Sequence, residues 1–346
     1  MTILQPSSAL GRTMAVAMGT LRVLTVAEEG PVQLLDSLDA LREALAKGLL
    51  LWADLDISAD TAIAQKVLNG VFAFHPLTVE DALTPEPNPP KLDDHGEFIF
   101  IIFHALTSYT PFVDVTTQEL CLYLGPNYLV SSHSGPVEAL EAIWQRCLKD
   151  GLPLRRGPEW LLHAVLDRLV DDYLHYIDAM EESLDRLEME ALEGREAKLL
   201  DRILQLRGNA LRLRRLTIPQ RELLWRLSHP EFPALVRPEA NIYFRDIYDH
   251  LVRIEYLIES LRELTDGALH TYLTVISNRL NEVMKVLTAM ATIFLPLTLI
   301  SSVYGMNFIH HVWPPFNSGW GFPAVMAAMA ALGLVMALFF RRRRWL

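Results

Sequence analysis

Cysteine is nearly absent from this 346-residue chain: Cys121 and Cys147 are the only two. They lie far apart with no Cys-x-x-Cys spacing, so neither a disulfide framework nor a thiolate zinc site is implied. A basic patch is missing from the body as well. With 42 Asp+Glu against 31 Lys+Arg the net charge is −11, which argues against a nucleic-acid partner held by phosphate contacts. No Walker loop, Rossmann fingerprint or nucleophile, base and oxyanion arrangement is visible, so the chain is not expected to be an enzyme. The apolar share of 51% is too high for a disordered chain, and the length suits two or more units. The sharpest absence is local. After Glu282 there is no Asp or Glu, while Lys285 and the run from Arg341 to Arg344 follow. Since 26 of the 31 bases precede that point, residues 1–282 carry −16 against +5 for the rest.

That carboxylate-free end holds two uncharged runs, seventeen residues from Leu287 to Val303 and nineteen from Phe322 to Phe340. At 1.5 Å per residue, each with its flanking turns matches a hydrocarbon layer of roughly 30 Å. A soluble core helix usually keeps a polar stripe, and the second run has none. Basic residues bracket the pair at its outer ends only, and the loop from Tyr304 to Gly321 carries no charge. The positive-inside rule then places both ends in the cytoplasm and the loop outside. The first thirty residues contain only short apolar stretches broken by Gly, Pro and Ser, so no signal peptide is expected. A multi-pass protein of the cell (inner or plasma) membrane is the resulting expectation, with the acidic portion in the cytoplasm.

Residues 1–20 read as an N-terminal extension and 21–157 as an α/β domain. Thr20 to Val26, Leu49 to Leu55, Phe98 to Thr107 and Glu119 to Ser131 are β-rich runs, with turn chemistry at Asp93-Asp94-His95-Gly96 and Gly125-Pro126-Asn127. Ser37 to Gly48 and Ala59 to Leu68 have helical periodicity. From residue 158 to 242 long amphipathic helices take over, one from Glu159 to Leu192 and a second from Glu196 to Leu216, with Pro219 bounding the next; the run Arg212, Arg214, Arg215 reads as a solvated face. A third helix is expected from Tyr243 to Tyr304, a stalk that continues into the first span at about residue 286. Pro296 should bend it slightly. Residues 305–321 form the outer loop, 322–340 the second span and 341–346 a basic tail. A helix that long cannot bury its face within one such chain, so oligomerisation is expected.

One face of the first span presents Asn281, Met284, Leu287 or Thr288, Ala291, Leu295, Thr298 and Ser302 at steps of three and four. Small residues also serve ordinary helix packing in membranes, so the stripe alone leaves pore and simple association both open. Neither span contains an ionisable residue, which argues against a proton-coupled carrier or a site that strips an ion bare.

At its outer end this helix reaches Tyr304-Gly305-Met306-Asn307, inside NEVMKVLTAMATIFLPLTLISSVYGMNF from Asn281 to Phe308. Together with YFRDIYDH (Tyr243 to His250), HPLTVED (His75 to Asp81), LVDDY (Leu169 to Tyr173) and the basic tail, this resembles the CorA family of magnesium and cobalt transporters over roughly residues 70–346. The resemblance implies a funnel-shaped homopentameric channel in the lipid bilayer, with a selectivity filter of Gly305, Met306 and Asn307. It also implies a pore lined by Asn281, Met284, Leu287, Leu295 and Thr298, and regulatory Mg²⁺ bridging subunits through Asp81 and Asp246, with Glu80 and Asp167 nearby. Mg²⁺ demands octahedral oxygen ligands and gives up water reluctantly, so neutral amide and carbonyl oxygens suit a hydrated ion.

Two departures stand out. The residues after Asn307 include His310 and His311 but no carboxylate, which should weaken attraction of dilute cations at the mouth and leaves Zn²⁺, Ni²⁺ or Co²⁺ as alternative cargo. His270 stands at a stalk position where some relatives carry Asp, and a solvated His is the simpler reading. A non-conducting, membrane-anchored metal sensor is the alternative from another class.

Overall fold

The computed structural model describes residues 20–27, 30–108, 110–193, 198–229, 235–306, 319–343 and 345. The chain divides into two units, residues 1–189 with 197–268, and residues 190–196 with 269–346.

The first unit is built on seven strands: β1 (Leu21–Val26), β2 (Gln33–Leu35), β3 (Leu50–Asp56), β4 (Lys91–Asp94), β5 (Ile99–Leu106), β6 (Thr117–Leu124) and β7 (Tyr128–His133). They pair in the order β2-β1-β3-β7-β6-β5-β4. Antiparallel neighbours account for all pairs but β3–β7, which run parallel from Leu51↔Tyr128 to Asp56↔His133. Helices α1 (Leu38–Ala46), α2 (Thr61–Gly70) and α3 (Pro76–Leu83) start where a cap is available. Ser37 accepts from the Ala40 amide, Asp60 from those of Ala62 and Ile63, and the His75 ring from that of Leu77, with Pro76 following in the first turn. Their apolar faces pack with Val23, Leu51, Phe100, Ile102 and Tyr123 into one core. β5 is buried along its whole length, so its opposite side is covered too.

That side meets the long helices. After α4 (Glu138–Asp150) and α5 (Leu152–Arg156) come α6 (Pro158–Glu193), α7 (Leu199–Leu227) and α8 (Pro238–Tyr304). Polar groups tie the layer to the sheet. Tyr173 donates to the His104 carbonyl at 3.0 Å, Gln220 accepts from the His104 amide at 3.1 Å, and Asn209 accepts from the Val115 amide at 3.0 Å. Each pairing satisfies a buried backbone group that would otherwise cost about 1–3 kcal/mol.

Three expectations change. The second helix does not stop before Pro219 but runs through it to Leu227, because the buried stripe of Leu213, Thr217, Gln220 and Leu224 continues on both sides and packing outweighs the lost amide bond. The third begins five residues early, with Pro238 in its first turn. Arg212 and Arg214 are not merely solvated: they pair with Asp114 at 2.5 Å and Glu259 at 3.4 Å. Both cysteines are free and buried.

Within this unit Asp54 is almost completely buried, and every contact to it comes from a different strand position. Arg22 Nε reaches it at 2.7 Å, His133 Nε2 at 3.2 Å, and the Ser131 hydroxyl also donates to it. Burial would raise its pKa, yet His133 and Arg22 hold it below the usual value. Burial would lower that of His133, and Asp54 holds it above. A raised histidine stabilises fully below its ordinary pKa of about 6.5 and loses that contribution as pH climbs through the raised value. A depressed carboxylate stabilises above its ordinary pKa of about 3.9 and loses that contribution as pH falls through the lowered value. Resistance to unfolding should therefore fall on the alkaline side as His133 deprotonates. Asp54→Asn, which leaves buried His133 beside a neutral amide while Arg22 keeps Glu141 at 2.6 Å, should cost about 3 kcal/mol and flatten that alkaline limb. Denaturant unfolding across pH, followed by far-ultraviolet circular dichroism, checks both.

The second unit contains the end of α8 and α9 (Gly321–Arg342). Both helices are long and apolar enough to cross a membrane. α9 approaches α8 where Gly333 faces Leu297, whose Cδ1 lies 3.6 Å from where a Cβ on Gly333 would sit, in keeping with small residues at membrane helix contacts. Ala289 of α8 is buried too, while Leu287, Leu295 and Phe294 are 58%, 71% and 65% exposed.

Candidate functional site

Asn281, Met284, Leu287, Leu295 and Thr298 all lie on α8 and all are exposed. At 100° per residue they fall within an arc of roughly 120°, one face of the helix. Exposure is not confined to that arc, since Val283 and Met290 are bare as well. Thr298 donates its hydroxyl proton to the Phe294 carbonyl at 2.8 Å, and Thr292 does the same to Thr288 at 2.7 Å. A hydroxyl so committed presents only lone pairs to its surroundings.

The helix ends tightly. Gly305 N–H bonds to the Ser301 and Ser302 carbonyls at 2.9 and 3.2 Å, and Met306 N–H to Val303 at 3.3 Å. A Cβ on Gly305 would stand 3.2 Å from the Ser301 carbonyl oxygen, so a side chain there would crowd the final turn. A cavity of about 260 Å³ opens among Ser301, Tyr304, Gly305, Phe322 and Met326. Asn307, His310 and His311 lie outside the described residues. His270 is exposed on α8.

The four acidic candidates fall into two groups. Glu80 and Asp81 sit in the last turns of α3, capped at its start by His75. Glu80 is exposed. Asp81 carries an ion pair with Lys91 of β4 at 2.7 Å, and Lys91 also reaches Asp93 at 3.0 Å. Burial would lower the Lys91 pKa, but these two carboxylates hold it above its ordinary value.

The second group joins α6 to α8. Asp167 is half-buried, and burial raises its pKa; Asp171 and Asp246 add to that, while His163 and His250 oppose it. His163 is pushed the other way, chiefly by burial, with Asp167 and Asp246 opposing. Asp167 and Asp246 are thus electrostatic neighbours, and a cation between them would offset the burial of Asp167. Next to them Trp160 and Tyr243 meet edge to face at 4.5 Å, and Arg156 stacks on Trp160 at 3.5 Å. Among the described residues no group of three or more His, Cys, Asp or Glu is arranged to hold a metal ion.

His163, His250, Asp171 and Lys91 were not singled out from the sequence. His163, Asp167 and Asp171 follow at i, i+4 spacing and share a helix face, a signal that was available. Lys91 had none, because only the return of β4 beside α3 brings it to Asp81.

Comparison with known proteins gives one answer. The profile of the CorA-like Mg²⁺ transporter proteins matches residues 48–342. A protein of Thermotoga maritima named as a cobalt/magnesium transport protein is 33% identical over 85% of this chain and 83% of its own length. One of the same name from Methanocaldococcus jannaschii is 27% identical over 75% and 81%. The complete structure of the M. jannaschii CorA magnesium transporter superposes with a TM-score of 0.79 at 22% identity, covering 94% of this chain and 99% of that one, and so shares the fold. With a family match over most of its length and two apolar helices at its C-terminal end, the chain belongs to the CorA family of Mg²⁺ transporter proteins.

Proposed function

We infer that the protein is a passive channel for divalent cations, carrying Mg²⁺ and Co²⁺ into the cell and closed by Mg²⁺ on the cytoplasmic side. The observation that carries this reading is the exposed, ion-free face of α8 leading into Tyr304-Gly305-Met306-Asn307. Two spans cannot enclose a path, so the pathway lies on a symmetry axis, and a homopentamer in the inner or plasma membrane with cytoplasmic termini is the assembly proposed. Residues 243–304 serve as stalk and first span, 322–340 as the second, and 341–346 as the inner anchor.

Gly305, Met306 and Asn307 form the filter, where neutral oxygens hold the hydration shell of Mg²⁺ without dehydrating it. Asn281 and Thr298 add polar rings, and Met284, Leu287 and Leu295 are apolar constrictions that close by dewetting. A divalent ion gains about 4.6 kcal/mol per 100 mV on moving inward. Regulatory Mg²⁺ binds between subunits at Asp81 and Asp246, with Glu80 and Asp167 in support. The exposure of Glu80 and Asp246 leaves both open to a neighbouring subunit, which supports such a shared site. By binding the closed state more tightly it supplies feedback.

The test is flux into liposomes bearing the purified protein, with Mg²⁺, Co²⁺, Ni²⁺ and Zn²⁺ compared with and without an inside-negative potential. Mg²⁺ uptake should rise with the potential. Uptake indifferent to it overturns the passive mechanism, preference for Zn²⁺ or Ni²⁺ favours the loop histidines as selectors, and no uptake of any ion favours a sensor.

A further inference from the structure

Away from these residues, the α/β unit holds a cavity of about 380 Å³ where the parallel strands β3 and β7 end. Open α/β sheets bind ligands beyond the carboxyl ends of their strands. Thr20 and Arg22 wall it beside β1, Asp54 and Asp56 at the end of β3, His133 at the end of β7, and Glu138 at the start of α4. Three features decide what it can hold.

The first is charge. Asp54, Asp56, Glu138 and Glu141 line the cavity with only Arg22 and His133 against them. Both cations are already engaged. Arg22 spans Asp54 at 2.7 Å and Glu141 at 2.6 Å and lies over the Trp144 ring at 4.2 Å. His133 has Nδ1 at 2.6 Å from the Gly135 carbonyl and Nε2 at 3.2 Å from Asp54, an acceptor on each side. Nδ1 therefore donates to that carbonyl, while Nε2 faces the Asp54 carboxylate without a hydrogen bond among the described residues. The partial positive charge of about one half at the start of α4 does not cancel an excess of two carboxylates.

The second is Thr20. It is wholly buried, it lines the cavity, and its hydroxyl has no hydrogen-bond partner among the described residues. Buried polar atoms are rarely left so, and an N–H from a ligand would complete it. The third is the apolar remainder of the wall, Leu21, Pro136 and Val137, which a hydrated metal ion leaves unused and an alkyl chain covers.

We propose that this cavity binds a small organic cation of the alkyl diamine class. One ammonium group sits among Thr20, Asp56 and Glu138, and the chain lies against Leu21 and Val137. The proposal concerns binding alone and stands whether or not the protein conducts.

The probe is butane-1,4-diamine, titrated calorimetrically into full-length protein in detergent at low salt, with Mg²⁺ in excess throughout; inorganic phosphate is titrated in parallel. Saturable binding of one diamine per chain is expected, weakened about fivefold by Glu138→Gln, the weight of one exposed charge pair, and about tenfold by Thr20→Val, which removes a hydrogen bond to a charged group. Glu138 is exposed in the first turn of α4, so its substitution keeps the test valid even where Thr20→Val does not fold. Absence of saturable diamine binding under excess Mg²⁺, tighter binding of phosphate than of diamine, or an affinity unchanged by Glu138→Gln would each overturn the proposal.

Discussion

Replacing Asn307 with alanine is expected to reduce Mg²⁺ flux by about two orders of magnitude while leaving the protein folded and assembled. The argument rests on what a neutral filter has to work with. A hydrated Mg²⁺ ion is held by hydrogen bonds from its water shell to fixed oxygens, each worth about 1.5–3 kcal/mol when one partner is charged. A symmetric ring loses all its amide oxygens at once in the variant. No carboxylate lies beyond Glu282 to compensate, so the mouth has no second means of concentrating cations. The measurement is initial uptake in liposomes under a fixed potential, with wild type and variant reconstituted at equal density. Undiminished flux in Asn307→Ala would remove the filter assignment.

The second large effect concerns closure. Asp81→Ala combined with Asp246→Ala should leave uptake intact but raise the internal Mg²⁺ needed to shut it off by at least about tenfold, within the span of a coupling free energy of 1–3 kcal/mol. The fold should tolerate the change. Asp246 is exposed, and Lys91, which loses Asp81 as a partner, keeps Asp93 at 3.0 Å. The ion pair between Lys91 and Asp81 also means that metal entering at Asp81 has to displace an ammonium group, which weakens the apparent affinity of any sensor built there. Shut-off at the wild-type concentration in the double variant would show that these carboxylates do not set the gate.

Much of this was legible in the residues and some was not, for identifiable reasons. The four β-rich runs of the α/β domain follow from composition between turn residues and the long helices from 3.6-residue periodicity, and the structure has strands and helices there. β2 and β4, three and four residues long, are too short to carry a period, and they exist because their neighbours need partners. Pro219 misled because a local rule about a missing amide was applied where a buried stripe extends past it. Among the candidate pore residues, the shared face of Asn281, Met284, Leu287, Leu295 and Thr298 follows from spacing alone. The proximity of Asp167 to Asp246 does not, since it depends on α6 lying beside α8, seventy-odd residues on. Lys91 beside Asp81 is the same kind of fact, invisible until β4 returns to the sheet.

The hydroxyl of Thr298 has a consequence for sign discrimination. Its proton is spent on the Phe294 carbonyl of its own helix, so a ring of such side chains turns only oxygen lone pairs toward the axis. On the proposed reading an anion entering the pathway would meet no donor at this level, while a hydrated cation would find an acceptor for each water it presents. A level of the conduit without an ionised group thus disfavours chloride by the orientation of its hydroxyl dipoles, and since an aliphatic hydroxyl keeps its proton across the physiological range, that contribution does not change with pH.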